Sequence, residues 1–181
     1  LLAMVDASVG GKTGVDLPQG KNLVGAFKQP ETVLIDPEVL STLDDPEIRS
    51  GMAEVIKHGV LAAPDLFSAL GAEPSPAEPA LGEGSPLTPD QLARALRVKI
   101  DVIEEDPYEQ GFRATLNLGH TVGHALERLS GFELRHGEAV SVGMAAAARI
   151  AVALGLAEPG LVNRLESKLA TWDLPIRCYG E

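Results

Sequence analysis

Two short apolar runs, LLAMV at residues 1–5 and TVLID at residues 32–36, are bounded by turn formers and predict strands. Between them Gly10, Gly11, Gly14, Pro18, Gly20, Gly25 and Pro30 forbid a long helix. Beyond them the chain reads as successive helices. Asp36-Pro37 opens a short one, and Asp45-Pro46 repeats that signal for a longer one through about residue 61. Thr88-Pro89 caps a helix to about residue 105. Further helices are predicted from His120 to about residue 129, closed by Gly131, and over about residues 138–154, closed by Gly155. The last starts near Pro159 and ends before Pro175. Residues 71–87, GAEPSPAEPALGEGSPL, are predicted to be a mobile loop because they offer little to bury. No internal repeat is visible. The expected architecture is mainly α: a β-rich edge over residues 1–43, then a helical domain over residues 44–181.

Composition sharpens this picture. With 45% hydrophobic residues among 181, a sizeable core is available, and an aromatic content of 4% favours packed helices over a β-sandwich. A net charge of -11 argues against a nucleic-acid surface, while leaving room for a small anion where basic residues gather. The longest apolar stretch, residues 139–156, contains Ser141, Arg149 and two glycines and reads as a buried helix, not a membrane span. The lone Cys178 excludes an internal disulfide framework and suits a reducing, cytoplasmic setting. The first residues, LLAMVD, carry no initiator Met and run straight into a strand-like pattern. The expectation is a fragment lacking its N-terminal part.

VDASVGGKTGVD at residues 5–16 imitates a nucleotide P-loop. Aligned on Gly11-Lys12-Thr13, however, the first glycine of that pattern falls on Asp6, whose carboxylate repels phosphate. Gly14, Pro18 and Gly20 also forbid the helix that must follow the lysine. What remains is a glycine turn presenting Lys12, then QGKNLVG presenting Lys21 and Asn22. Such a segment suits a bound anion; solvated loop lysines are the competing reading.

Three of the four histidines are spaced like ligands. His120 and His124 in GHTVGHALE stand at i, i+4 on one helix face. His136 in RHGEAV opens the next helix, and a helical hairpin can return it beside His120. Three protein ligands and an open position make a catalytic zinc site, with a carboxylate as the usual third ligand. The best carboxylate is Glu54 in GMAEVIKHG, mid-helix among Met52, Ala53, Val55 and Ile56, with Lys57 at i+3. The competing readings are a surface ion pair for Glu54–Lys57 and a hydrogen-bonded core pair for His120 and His124.

Five stretches, VDASVGGKTGVDLPQGKNLVGAFKQP, VLIDPEVLSTL, GMAEVIKHG, LNLGHTVGHALE and RHGEAVSVGM, resemble the 3-dehydroquinate synthase family in content and order. They cover most of residues 1–150. The resemblance implies a helical metal-binding C-terminal domain preceded by the β-rich end of an α/β NAD-binding domain, with the active site between them. It implies cyclisation of 3-deoxy-D-arabino-heptulosonate 7-phosphate to 3-dehydroquinate with loss of phosphate, using NAD and Zn2+ or Co2+. This is a step of the shikimate pathway. It also implies a cytoplasmic homodimer of the full-length protein.

Carried over by motif, Glu54, His120 and His136 look like the metal ligands. His124 looks like the neighbouring histidine that contacts substrate. Lys57, Lys99, Arg113, Asn117 and Asn22 match substrate-binding positions. Asp6, Lys12, Lys21 and the stretch ending at Thr42 match positions near the nicotinamide cofactor and substrate.

Against a complete enzyme, no G-x-G-x-x-G is present, and the chain ends at CYGE before the family's C-terminal lysine region. The piece alone is expected not to bind NAD productively. Two alternatives stay open: a sibling sugar-phosphate cyclase, and a non-catalytic metal-binding helical module.

Overall fold

A computed structural model describes residues 1–71 and 87–178, except for the side chains of residues 16 and 20–22. The predicted loop at 71–87 falls almost wholly outside the described residues. Among those described, the only sheet is a hairpin of β1 (Val15–Leu17) and β2 (Gly20–Val24), paired antiparallel with Val15 opposite Val24 and Leu17 opposite Gly20. The helices are α1 (Asp45–Ala62), α2 (Pro64–Ala69), α3 (Pro89–Glu105), α4 (His120–Leu129), α5 (His136–Ala153) and α6 (Gly160–Thr171). None of them is long and apolar enough to cross a membrane.

The helix signals hold closely, and the strand predictions do not. Thr88 accepts a hydrogen bond from Gln91 N while the Gln91 side chain accepts one from Thr88 N, a reciprocal cap that starts α3. Asp36 caps a 3-10 turn over Pro37–Thr42 by accepting from Glu38 N. Residues 1–5, expected to be a strand, instead enter a π-helical turn over Ala3–Ala7. This turn buries Leu1 and Val5 in the core built on α1. An apolar run of five residues carries no period that separates strand from helix, and tertiary burial decides. Residues 32–36 form no strand either, and Leu34 is 92% exposed. The β structure lies instead in the segment read as loop, with Pro18 and Gln19 at its turn.

α1 is the central element. From Ser50 to Gly59 every residue is buried, because α2, α3, α5 and α6 and the N-terminal turn all pack around it. Gly137 marks how closely α5 approaches: a Cβ there would lie 2.0 Å from the Ser50 carbonyl oxygen. Ser50 Oγ also takes a hydrogen bond from Gly137 N at 3.0 Å. α4 and α5 form the antiparallel hairpin that returns to α1.

Candidate metal and anion centre

Glu54 projects from the middle of α1 and is fully buried, with Lys57 one turn on and equally withdrawn from water. The two form an ion pair, so the surface pair considered from sequence is a core pair. Neither Glu54 oxygen makes a hydrogen bond to a described protein group. His120 and His136 open α4 and α5, and their Nε2 atoms lie 3.7 and 3.5 Å from Glu54 Oε1. Their ring centroids are 5.1 Å apart. One ligand atom from each of the three residues lies within 4.8 Å of the others.

Electrostatics follow from that burial. Desolvation pushes Glu54 toward protonation, but His136, Lys57 and His120 outweigh it and hold the carboxyl well below its ordinary range. Desolvation and Lys57 lower His120. For His136, desolvation is overcome by the carboxylates of Glu54 and Glu127, and its pKa is raised. His120 Nδ1 lies 3.3 Å from the Leu118 carbonyl, which accepts its proton and leaves Nε2 facing Glu54. A buried carboxylate lacking hydrogen bonds, faced by two imidazole nitrogens, is a donor set suited to a divalent ion.

Beside this cluster lies a cavity of about 130 Å³ lined by four cationic side chains, Lys12, Lys57, Lys99 and Arg113. Asp6, Asn117 and His120 complete the polar wall with Glu109. Lys99 Nζ bonds Asp6 Oδ1 at 2.7 Å; burial outweighs that partner and lowers its pKa. Lys12 pairs with Glu109, which the lysine holds below the usual carboxylate range. Asn117 donates to Glu109 Oε1 at 3.4 Å. Arg113 is buried and donates to the carbonyls of Gly10 at 2.7 Å and Pro107 at 2.9 Å. Its backbone N donates to Asp106, which also accepts from the N–H groups of Gln110 and Gly111 at 2.8 and 2.9 Å. One buried carboxylate thus shapes the loop that delivers Arg113 and Asn117.

The sequence-predicted residues mostly converge. Asp6, Lys12, Lys57, Lys99, Arg113, Asn117 and His120 share the cavity. Glu54 and His136 stand next to it, and His124 joins through an edge contact with the His120 ring at 5.3 Å. Thr42 is not among the lining residues; its hydroxyl donates to the Val39 carbonyl at 2.8 Å. Lys21 and Asn22 lie on β2, and their side chains fall outside the described residues.

Three residues near the site escaped sequence reasoning. Glu109 sits in an irregular loop with no motif signal. His58 and Glu127 lay inside quoted motifs without an assigned part. His58 is buried with neither ring nitrogen hydrogen-bonded to a described residue, and desolvation followed by Lys57 lowers its pKa to about 4.

Residues 51–180 match the family model described as 3-dehydroquinate synthase C-terminal, and residues 1–50 match the 3-dehydroquinate synthase N-terminal model. The chain belongs to the 3-dehydroquinate synthase family. A 3-dehydroquinate synthase from Synechococcus is 54% identical over 178 residues, covering 98% of this chain and 48% of the relative. One from Xanthomonas campestris is 50% identical over 182 residues, covering 97% and 48%. The chain therefore spans about half the length of these relatives.

Among solved structures, 2-epi-5-epi-valiolone synthase from Streptomyces hygroscopicus with NAD+ and Zn2+ bound superposes with a TM-score of 0.82. It is 28% identical over 98% of this chain and 49% of its own. A 2-deoxy-scyllo-inosose synthase complexed with carbaglucose-6-phosphate, NAD+ and Co2+ gives a TM-score of 0.75. It is 30% identical over 94% of this chain and 46% of its own.

Proposed function

We propose that this chain is the metal- and substrate-binding part of a 3-dehydroquinate synthase acting in the cytoplasm on the shikimate pathway. The observation that carries this reading is the union of the Glu54–His120–His136 cluster with a cavity walled by four cations. Identity of 50–54% to the 3-dehydroquinate synthases above, against 28–30% to the sibling cyclases, favours 3-deoxy-D-arabino-heptulosonate 7-phosphate as substrate. A non-catalytic metal module needs only the three ligands and has no use for a buried, carbonyl-held Arg113.

Glu54, His120 and His136 would hold Zn2+ or Co2+, and the bound ion supplies Lewis acidity at a substrate oxygen. NAD, toward which we assign Asp6, Lys12, Lys21 and Thr42, supplies a transient hydride acceptor. Asp6 and Lys12 fit that assignment by lining the cavity; Thr42 stands apart from it. Arg113, already fixed by two carbonyls, presents its remaining N–H donors to the phosphate or carboxylate of the substrate. Lys57 and Lys99 add positive charge in a partly desolvated wall, where it is least screened. Asn117, Asn22 and His124 offer hydrogen bonds to sugar hydroxyls. The division near residue 43 separates the cofactor side from the metal side, and the full-length protein is proposed to be a homodimer.

The test is phosphate release from the heptulosonate phosphate by the full-length protein with NAD and zinc, compared with Glu54→Ala. Wild-type release lost in the variant supports the proposal; release unchanged by the substitution refutes the metal assignment.

A further inference from the structure

Each histidine facing Glu54 has a second ring nitrogen, and the two find different partners. For His120, Nδ1 meets the Leu118 carbonyl. For His136, Nδ1 lies 3.6 Å from Oε1 of Glu127, while Nε2 lies 3.5 Å from Glu54 Oε1. Glu127 stands on α4, its side chain 7% exposed, where α4 packs against the start of α5. Its other oxygen lies 4.0 Å from Nε2 of His124. The imidazole of His136 is thus held between two carboxylates, one at each nitrogen.

We infer that Glu127 is a positioning residue for His136. Its carboxylate accepts the Nδ1 proton, fixing the tautomer that leaves the Nε2 lone pair to a metal ion shared with Glu54. A neutral imidazole carries one N–H, and only its bare nitrogen can bind a metal. With no acceptor at Nδ1 the proton is free to occupy Nε2 and the ring is free to turn away. The 3.6 Å separation is longer than a hydrogen bond, so the bond itself is part of the inference for the metal-loaded protein. The Leu118 carbonyl does the same work for His120, so both ligand imidazoles are oriented from behind by groups on or next to α4. A second cation held by His124, Glu127 and His136 would compete for the same residues. That arrangement requires His136 to bind metal through both nitrogens.

This inference rests on Glu54, His120 and His136 being metal ligands, and the experiment separates the two. Zn2+ affinity is measured by chelator competition on the metal-free full-length protein, alongside zinc stoichiometry. Glu127→Ala is expected to weaken binding about 10–100-fold at one zinc per chain. Glu127→Gln, whose amide oxygen still accepts the proton, is expected to stay within about threefold of wild type. Glu127→Leu, which fills the space without an acceptor, repeats the loss should the alanine variant not fold. Wild-type affinity in the alanine and leucine variants, or a glutamine variant as weak as alanine, overturns the inference. So does a second wild-type zinc that disappears with Glu127. Affinity unchanged by Glu54→Ala defeats the underlying metal reading instead.

Discussion

Glu54 and Lys57 form an ion pair one helical turn apart with side-chain exposures of 0% and 1%. With both side chains withdrawn from the surface, each charge depends on the other and on the histidines. In the metal-free protein, Lys57→Met is expected to strand the Glu54 carboxylate and cost about 3–5 kcal/mol of stability. Urea unfolding measures it; a loss below about 1 kcal/mol, typical of a surface pair, contradicts the buried description.

His58 sets a pH dependence. Its folded-state pKa of about 4 lies below the ordinary 6.5, so between those values the unfolded chain binds the extra proton. Its contribution is present above pH 6.5 and is lost as pH falls through that window. Lowering the imidazole from 6.5 to about 4 is worth about 3 kcal/mol. His58→Leu in the metal-free protein is expected to flatten the stability–pH curve between pH 6.5 and 4 relative to wild type. Parallel curves for the two proteins contradict it.

Asp106 accepts three backbone N–H bonds, and these hold it below its usual pKa, the one from Arg113 foremost. Asp106→Ala is expected to destabilise the fold and, on the proposed function, to raise the KM of the full-length protein for the heptulosonate phosphate. The substitution frees the loop that carries Arg113. An unchanged KM argues that Arg113 is placed by Gly10 and Pro107 alone.

Gly137 seats α5 on α1 next to His136. Gly137→Ala is expected to force the helices apart, because its Cβ would meet the Ser50 carbonyl at 2.0 Å. Calorimetry should show a large drop in unfolding temperature, together with weaker zinc binding as His136 leaves Glu54. Wild-type values for both contradict the close approach.

The helices were legible in the sequence because their ends carry side-chain chemistry: Asp36 and Thr88 as caps, Pro89 after Thr88, Gly131 after α4. The strands were not. Leu1 and Val5 are apolar because they sit under α1, which no local pattern reveals. His120 and His136 were legible as a pair through the length of the α4–α5 hairpin. Glu54 needed its apolar flanks to suggest burial. Glu109 and Glu127 meet residues 97 and 9 positions away, respectively Lys12 and His136, and such contacts have no signature in one sequence.

Glu54, His120 and His136 are proposed to bind one metal ion. Anomalous diffraction at the zinc edge, from crystals of the full-length protein grown with Zn2+, tests it most directly. The expected result is a single strong peak about 2.0–2.2 Å from a Glu54 oxygen and from Nε2 of both histidines. No peak among these residues, or one touching His124 and Glu127 but not Glu54, would contradict it.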